Sequence, residues 1–210
     1  MGIVILLLAL THDQLAEVYE PGLGRLVGPR SRAKVPETAQ AGWEWAADND
    51  AFSSWSPVRF TAMLAVLAGA PGCRFVTAPD VVGDHAATLR QFSEWAPAIR
   101  AHGLPVAFVA QDGVTPAAVP WGEIDALFIG GSTPFKLGPE AATVAREAHR
   151  RGLWLHMGRV NSLRRMLYAR SLECHSVDGT SFARWNHAHL DAGRRRRAAA
   201  TAQLHLEVAE

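Results

Sequence analysis

Acidic and amide side chains recur at one kind of place in this chain, just past short apolar runs. Asp48 and Asn49 follow one such run, Asp80 another, Gln111 and Asp112 a third, and Asp178 the last. Two further runs close on Gly130, Gly131 and Ser132 and on Met157, Gly158 and Arg159. No serine or cysteine stands paired with a base, and no cysteine–histidine cluster has metal-ligand spacing. The chemistry available is what carboxylates do unaided, with no metal and no cofactor. Glycosyl transfer is the leading case. Breaking a bond at an anomeric carbon passes through an oxocarbenium-like state, so one carboxylate can stabilise or capture the cation while a second, of raised proton affinity, moves a proton. A remaining carboxylate and the Gln111 amide accept and donate as the edge of a purine-like ring demands. Met157 offers such a ring a polarizable face, or packs in the core. Any one of these residues is also an ordinary turn or cap residue; together they point to a common mouth.

Gathering residues so far apart in sequence is the task of the intervening elements. Apolar runs lie at 3–9, 24–28 (the weakest), 43–47, 74–78, 105–110, 125–130, 153–157 and 174–177. Segments with helical periodicity separate most of them, clearest at 56–69, 84–103, 138–152 and 161–173. Asp84, Pro139 and Asn161 are predicted helix starts, and Gly103 and Gly152 predicted stops. This alternation predicts one α/β domain, a compact (β/α)₈ TIM barrel over residues 1–190, with a basic tail, helical or disordered, over 191–210. A doubly wound sheet is the alternative, but no glycine-rich phosphate loop follows the first run. A barrel builds its active site at the carboxyl ends of its strands, where the polar residues fall.

The bulk properties agree. With 210 residues, 49% of them hydrophobic, the chain can bury a core without disulfides or metals. Cys73 and Cys174 stand alone and read as buried thiols of a reducing cytoplasm. The apolar amino terminus lacks a basic flank and a cleavage site, and His12 and Asp13 end it too soon to span a bilayer, so a first strand is expected and no membrane. A net charge of +1 does not advertise a polyanion partner, although the arginine run at 194–197 is suited to phosphates. His156 reads as a satisfied core histidine more readily than a catalytic one. His175, His187 and His189 have no metal spacing. Trp43, Trp45 and Trp185 are packing residues or base-stacking candidates. The basic segment 28–34 is either a mobile loop over the site or a solvated connection.

Taken in order, "ADNDAF" (47–52), "APD" (78–80), "FVAQDG" (108–113), "FIGGS" (128–132), "LHMGRVN" (155–161) and "SVDGT" (176–180) resemble the site motifs of the tRNA-guanine transglycosylases. The chain is similar above all to their short, phage-encoded relatives, described as queuine tRNA-ribosyltransferase-like or DNA 7-deazaguanine transglycosylases. The resemblance runs from the first strand to Phe182. It implies a (β/α)₈ enzyme, a pentosyltransferase that exchanges guanine in a polynucleotide for a 7-deazaguanine base through a covalent enzyme–sugar intermediate. Asp178 then matches the nucleophile and Asp48 the general acid/base. Asp80 matches the base-reading carboxylate and Gln111 the amide that contacts the ring carbonyl. Gly130 and Gly131 match the backbone the base approaches, and Met157 with Gly158 the pocket floor.

Two departures stand out. In "DNDAF", Asp50 and Ala51 replace the two glycines of the family's "DSGGF", so Asp50 must tolerate an unusual conformation or the backbone must differ. The tRNA enzymes' zinc subdomain, with three Cys and one His, has no counterpart in two lone cysteines. DNA is therefore the favoured partner over tRNA, and Arg159, Arg164, Arg165 and Arg184 are candidates for a phosphate-holding rim. Each also reads as an ordinary surface residue. Family enzymes often act as dimers, which makes a homodimer an expectation without an identified interface. The alternatives are an N-glycosidase on the same barrel, in which water replaces the incoming base, and a non-catalytic deazaguanine-binding subunit.

Overall fold

A computed structural model describes residues 4–179, together with Arg195, Ala198 and Ala199 of the tail. Its strands are β1 (Ile5–Leu8), β2 (Leu23–Val27), β3 (Glu44–Ala47), β4 (Cys73–Thr77), β5 (Val106–Ala110), β6 (Ala126–Ile129), β7 (Trp154–Met157) and β8 (Ser176–Asp178). Every neighbouring pair is parallel, and β8 pairs with β1 to close the barrel. The helices are α1 (His12–Ala16), α2 (Val35–Gln40), α3 (Ala51–Ser54), α4 (Pro57–Leu67), α5 (His85–Ala101), α6 (Thr133–Lys136), α7 (Pro139–Arg150) and α8 (Leu163–Ser171). The chain is thus a compact (β/α)₈ barrel, with each strand lying on its expected run. None of the described helices is long and apolar enough to cross a membrane.

Local chemistry sets the boundaries. The Asp84 carboxylate accepts the Ala87 N–H at 2.9 Å and starts α5, and Pro139 occupies the first turn of α7. The start expected at Asn161 falls one residue later. Ser162 is the cap of α8, its hydroxyl accepting the Arg165 N–H at 3.3 Å. Gly103 and Gly152 follow α5 and α7 at φ of +70° and +69°, the left-handed turn that ends a helix at least cost to glycine.

Side-chain parity divides the core. Successive strand residues face opposite sides, so each strand sends every second side chain into the barrel. Leu7, Leu26, Ala46, Phe75, Ala107 and Ala126 fill the interior, with Ile5, Phe128 and Trp154 packed against them. The opposite phase, including Leu6, Leu8, Trp45, Val76, Phe108, Leu155 and Val177, packs in the larger cluster with helix residues such as Phe60, Phe92 and Val144. Continuing the inward phase past the carboxyl ends of β3, β5, β6 and β7 reaches Asp48, Gln111, Gly130 and Gly158, and the last inward residue of β8 is Asp178.

Arg25 is the exception in the outer layer, a fully buried arginine. Its guanidinium donates to the carbonyls of Leu10 (3.0 Å), Lys34 (3.2 Å), Ser31 (2.5 Å) and Ala33 (2.8 Å) and to the Thr38 hydroxyl (3.0 Å). These bonds tie the backbone at Ser31, Ala33 and Lys34 from beneath, while Arg30 and Lys34 of the same segment are exposed.

Candidate functional site

One cavity of about 270 Å³ opens at the carboxyl ends of the strands. Asp48, Asp80, Gln111, Gly130, Gly131, Gly158, Arg159 and Asp178 all line it, with Leu7, Leu26, Val109 and Phe128 forming apolar wall. Barrel closure has brought together carboxylates separated by up to 130 residues in the sequence.

Asp178 ends β8 with both oxygens engaged. Oδ1 accepts the Arg159 backbone N–H at 3.0 Å, and Oδ2 lies 3.0 Å from Nε2 of His156. Arg159 adopts φ of +59°, costly for a residue with a Cβ, and in that conformation its N–H meets the carboxylate. Burial pushes the Asp178 carboxyl up, but the hydrogen bond with His156, the Arg159 N–H and the nearby Lys136 outweigh it and hold it below the ordinary aspartate value.

Asp48, just past β3, behaves oppositely. Burial, reinforced by the charges of Asp178 and Asp80, pushes its carboxyl up to about 7, against the Asn49 N–H (2.8 Å) and the Thr77 hydroxyl (3.1 Å) that meet Oδ1. Asp50 takes the left-handed conformation, φ +60°, and so retains the backbone state for which glycine is favoured.

Asp80 is held by two amides, Asn49 Nδ2 on Oδ1 at 2.8 Å and Gln111 Nε2 on Oδ2 at 2.5 Å. Burial raises its proton affinity in spite of them. The Gln111 oxygen is itself taken, accepting the Gly83 N–H at 2.9 Å. Gln111 therefore orients Asp80 directly and has one amide hydrogen to spare for a ligand. Gly130 and Gly158 permit close packing. A Cβ on Gly130 would stand 2.6 Å from Val109 Cγ1, and one on Gly158 2.6 Å from the Phe128 ring and 3.3 Å from Asp178 Oδ2.

Met157 does not form the floor. It shares the outward phase of Val177, is fully buried in the outer cluster, and is not part of the cavity lining; Phe128 and Gly158 line the cavity where it was expected. Of the arginines, Arg159 reaches the cavity, its guanidinium 4.8 Å from the Phe52 ring centroid and bonded to the Gly131 carbonyl. Arg165 braces that turn through the Arg159 carbonyl at 3.0 Å and Thr133 Oγ1 at 3.2 Å, and Arg164 is exposed. Arg184, Trp185, His187 and His189 lie outside the described residues. Trp45 is buried among outer-layer side chains and donates to the Pro71 carbonyl at 2.8 Å, and Trp43 stacks on His12 and Tyr19.

Two site residues escaped the sequence reading. His156 is fully buried like a core histidine, yet it bonds Asp178; the available signal was parity, since His156 shares the inward phase of Gly158. Lys136 in α6 is buried with Nζ 2.5 Å from the Gly158 carbonyl. Burial, aided by Arg159 and Arg165, lowers its ammonium to about 7 against the pull of Asp178. Its spacing from the motifs carries no signal.

Fold and site together define a (β/α)₈ barrel with a carboxylate-lined mouth. Neither family models nor curated proteins match the chain. Solved structures do. The Amycolatopsis orientalis BexX/CysO complex contains a chain 16% identical at a TM-score of 0.60, covering 100% of this chain and 93% of that one. A native KDPGal structure is 12% identical at 0.58 over 97% and 95%, and a mandelate oxidase 15% identical at 0.59 over 94% and 72%. At such identities the likeness is one of fold, and the site must be argued from its own chemistry.

Proposed function

We propose that the chain is a base-exchange transglycosylase that replaces guanine in nucleic acid, DNA in preference to tRNA, with a 7-deazaguanine base through a covalent aspartyl–sugar intermediate. The observation that carries this reading is the opposed proton affinity of two carboxylates in one cavity, Asp178 held low and Asp48 raised to about 7. A double displacement needs that division, because the nucleophile must be ionised while its neighbour carries a proton near neutral pH.

In this reading Asp178 attacks the anomeric carbon as the glycosidic C–N bond breaks, and the bonding pair leaves with the guanine nitrogen. Asp48 supplies the proton that lets guanine depart neutral. The incoming 7-deazaguanine returns a proton to Asp48 as its nitrogen attacks the sugar, and Asp178 is released. Asp80, fixed by Asn49 and Gln111, supplies acceptors for the ring N–H groups. A cavity of this size suits one extruded base and its sugar, so a base within a duplex must be flipped out. DNA is preferred because the two cysteines, Cys73 in β4 and Cys174 ahead of β8, cannot supply the three thiolates of the tRNA enzymes' zinc subdomain. Incubation with labelled guanine and separate DNA and tRNA acceptors tests the reading. DNA should gain label, with an adduct trappable on the wild type and absent from Asp178→Ala; full exchange by that variant would remove the nucleophile assignment. Release of free guanine without any incoming base would instead mark a glycosidase.

A further inference from the structure

Behind Asp178 runs a line of polar groups that the exchange reaction does not itself require. Trp154, the first residue of β7, donates its indole N–H to Ser176 Oγ at 2.9 Å. Ser176 pairs in register with His156, and its Oγ lies 2.9 Å from the ring nitrogen Nδ1. The other nitrogen, Nε2, faces Asp178 Oδ2 at 3.0 Å. Ser176 and His156 are fully buried, and the aromatic rings near the imidazole are those of Phe75 and Phe128, at centroid distances of 5.1 and 4.5 Å.

The donors and acceptors fit in one direction. An indole nitrogen can only donate, so Trp154 occupies a Ser176 lone pair. The Ser176 hydroxyl has one hydrogen, and Nδ1 is the acceptor within reach. That places the ring hydrogen on Nε2, where it points at the carboxylate. The opposite tautomer would aim two donors at Ser176, strand the hydroxyl hydrogen and set the Nε2 lone pair against Asp178. A doubly protonated ring would strand the same hydrogen.

We propose that Trp154, Ser176 and His156 form a one-way hydrogen-bond chain whose final Nε2–H reserves the negative charge for Asp178 and leaves the proton to Asp48. His156 is then a positioning residue, acting through Asp178. Its role deepens the transglycosylase reading and gives it a built-in asymmetry. Two carboxylates sharing a cavity compete for one proton, and the one with a fixed imidazole donor becomes the anion. The other charged groups facing the pair are Asp80 beside Asp48, with the Arg159 guanidinium acting on Asp80, and Lys136 beside Asp178. The cations do not meet Asp178 directly: Lys136 Nζ is bonded to the Gly158 carbonyl and the Arg159 guanidinium to the Gly131 carbonyl, whereas His156 Nε2 faces the carboxylate itself.

The test has one arm that needs no activity. In protein labelled with ¹⁵N-histidine, multiple-bond ¹H–¹⁵N spectra should show His156 protonated at Nε2 and bare at Nδ1, and a proton on Nδ1 overturns the proposal. Carboxyl ¹³C titration should show Asp178 ionised and Asp48 protonated at about pH 6. In His156→Phe, which keeps an apolar-compatible ring between Phe75 and Phe128, the Asp178 midpoint should move up; an unmoved midpoint also overturns it. Ser176→Ala is the milder second variant and should mix the two tautomers. In the second arm, single-turnover adduct formation by His156→Phe should fall roughly 10- to 100-fold, with its acid limb moved to higher pH and the KM for DNA nearly unchanged. Rate loss with an unshifted pH profile would make His156 merely structural. Should wild-type protein form no adduct with any acceptor, the transglycosylase reading falls, while the spectra still decide the chain.

Discussion

Replacing Asp48 by Asn should stabilise the protein, and in a pH-dependent way. The Asp48 carboxyl titrates at about 7 in the folded chain against 3.8 for the free group, because burial and the charges of Asp178 and Asp80 disfavour its anion. Between those values the folded state keeps a proton that the unfolded state has released. Wild-type stability therefore falls as pH rises from about 4 to about 7, at ~1.4 kcal/mol per pH unit for this group, and is level above that window. The full window amounts to ~4 kcal/mol, and solvent entering the cavity mouth screens it toward ~2 kcal/mol. Asparagine is neutral throughout and keeps an Oδ1 acceptor for the Asn49 N–H and the Thr77 hydroxyl. Urea denaturation of both proteins across pH 4 to 8 reads the difference between them, cancelling the titrating groups that do not interact with Asp48 and leaving Asp48 with its neighbours Asp178 and Asp80. Asp48→Asn should gain ~2 kcal/mol on the wild type across the window, or ~4–8 °C in Tm for a domain of this size. A difference that does not vary with pH would refute the claim that Asp48 is held protonated by its surroundings. The variant should also lose base exchange, so stability and activity move in opposite directions, as expected of a strained site.

Gly158→Ala should sharply reduce exchange while costing ~1–3 kcal/mol in stability, because its Cβ would meet the Phe128 ring at 2.6 Å and crowd Asp178; urea melts beside single-turnover rates check both. Arg25→Lys should cost ~3 kcal/mol and render segment 28–34 sensitive to limited proteolysis, since one ammonium cannot reach carbonyls spread around a planar guanidinium. Lys136→Met should gain on the wild type as pH falls from about 10 to about 7: the buried ammonium titrates at about 7 in the fold, so wild-type stability drops wherever the unfolded chain alone is protonated. Paired melts at pH 7 and 10 measure it, and an equal gap at both would refute it.

The fold was legible because barrel strands announce themselves twice, as short apolar runs and by the polar residues at their carboxyl ends. The apolar runs bound the strands only to within a residue or two, since strands of three to five residues leave little room for pattern. The carboxylate set was legible for the same reason, as Asp48, Asp80 and Asp178 all lie one to three residues from a strand end or upon it. What escaped was orientation. His156, Met157 and Gly158 are consecutive, and chemical type alone gives the methionine to a ligand and the histidine to the core. Parity exchanges the methionine and the histidine, and it was available: Gly158 at the pocket fixes His156 inward and Met157 outward, and the pairing of His156 with Ser176 agrees. The second task of Gln111, fixing Asp80, escaped differently. An amide at a strand end reads as a ligand contact, and its capture by Asp80 and the Gly83 N–H depends on a loop geometry that spacing does not encode. Arg25 escaped because its partners are mostly backbone carbonyls, which every sequence has. The common thread is that one-dimensional pattern finds which residues reach the mouth, while the proton traffic among them is set by hydrogen bonds from the layer beneath. In this barrel that layer is Ser176 and His156 beneath Asp178, while burial beside two other carboxylates keeps the proton on Asp48.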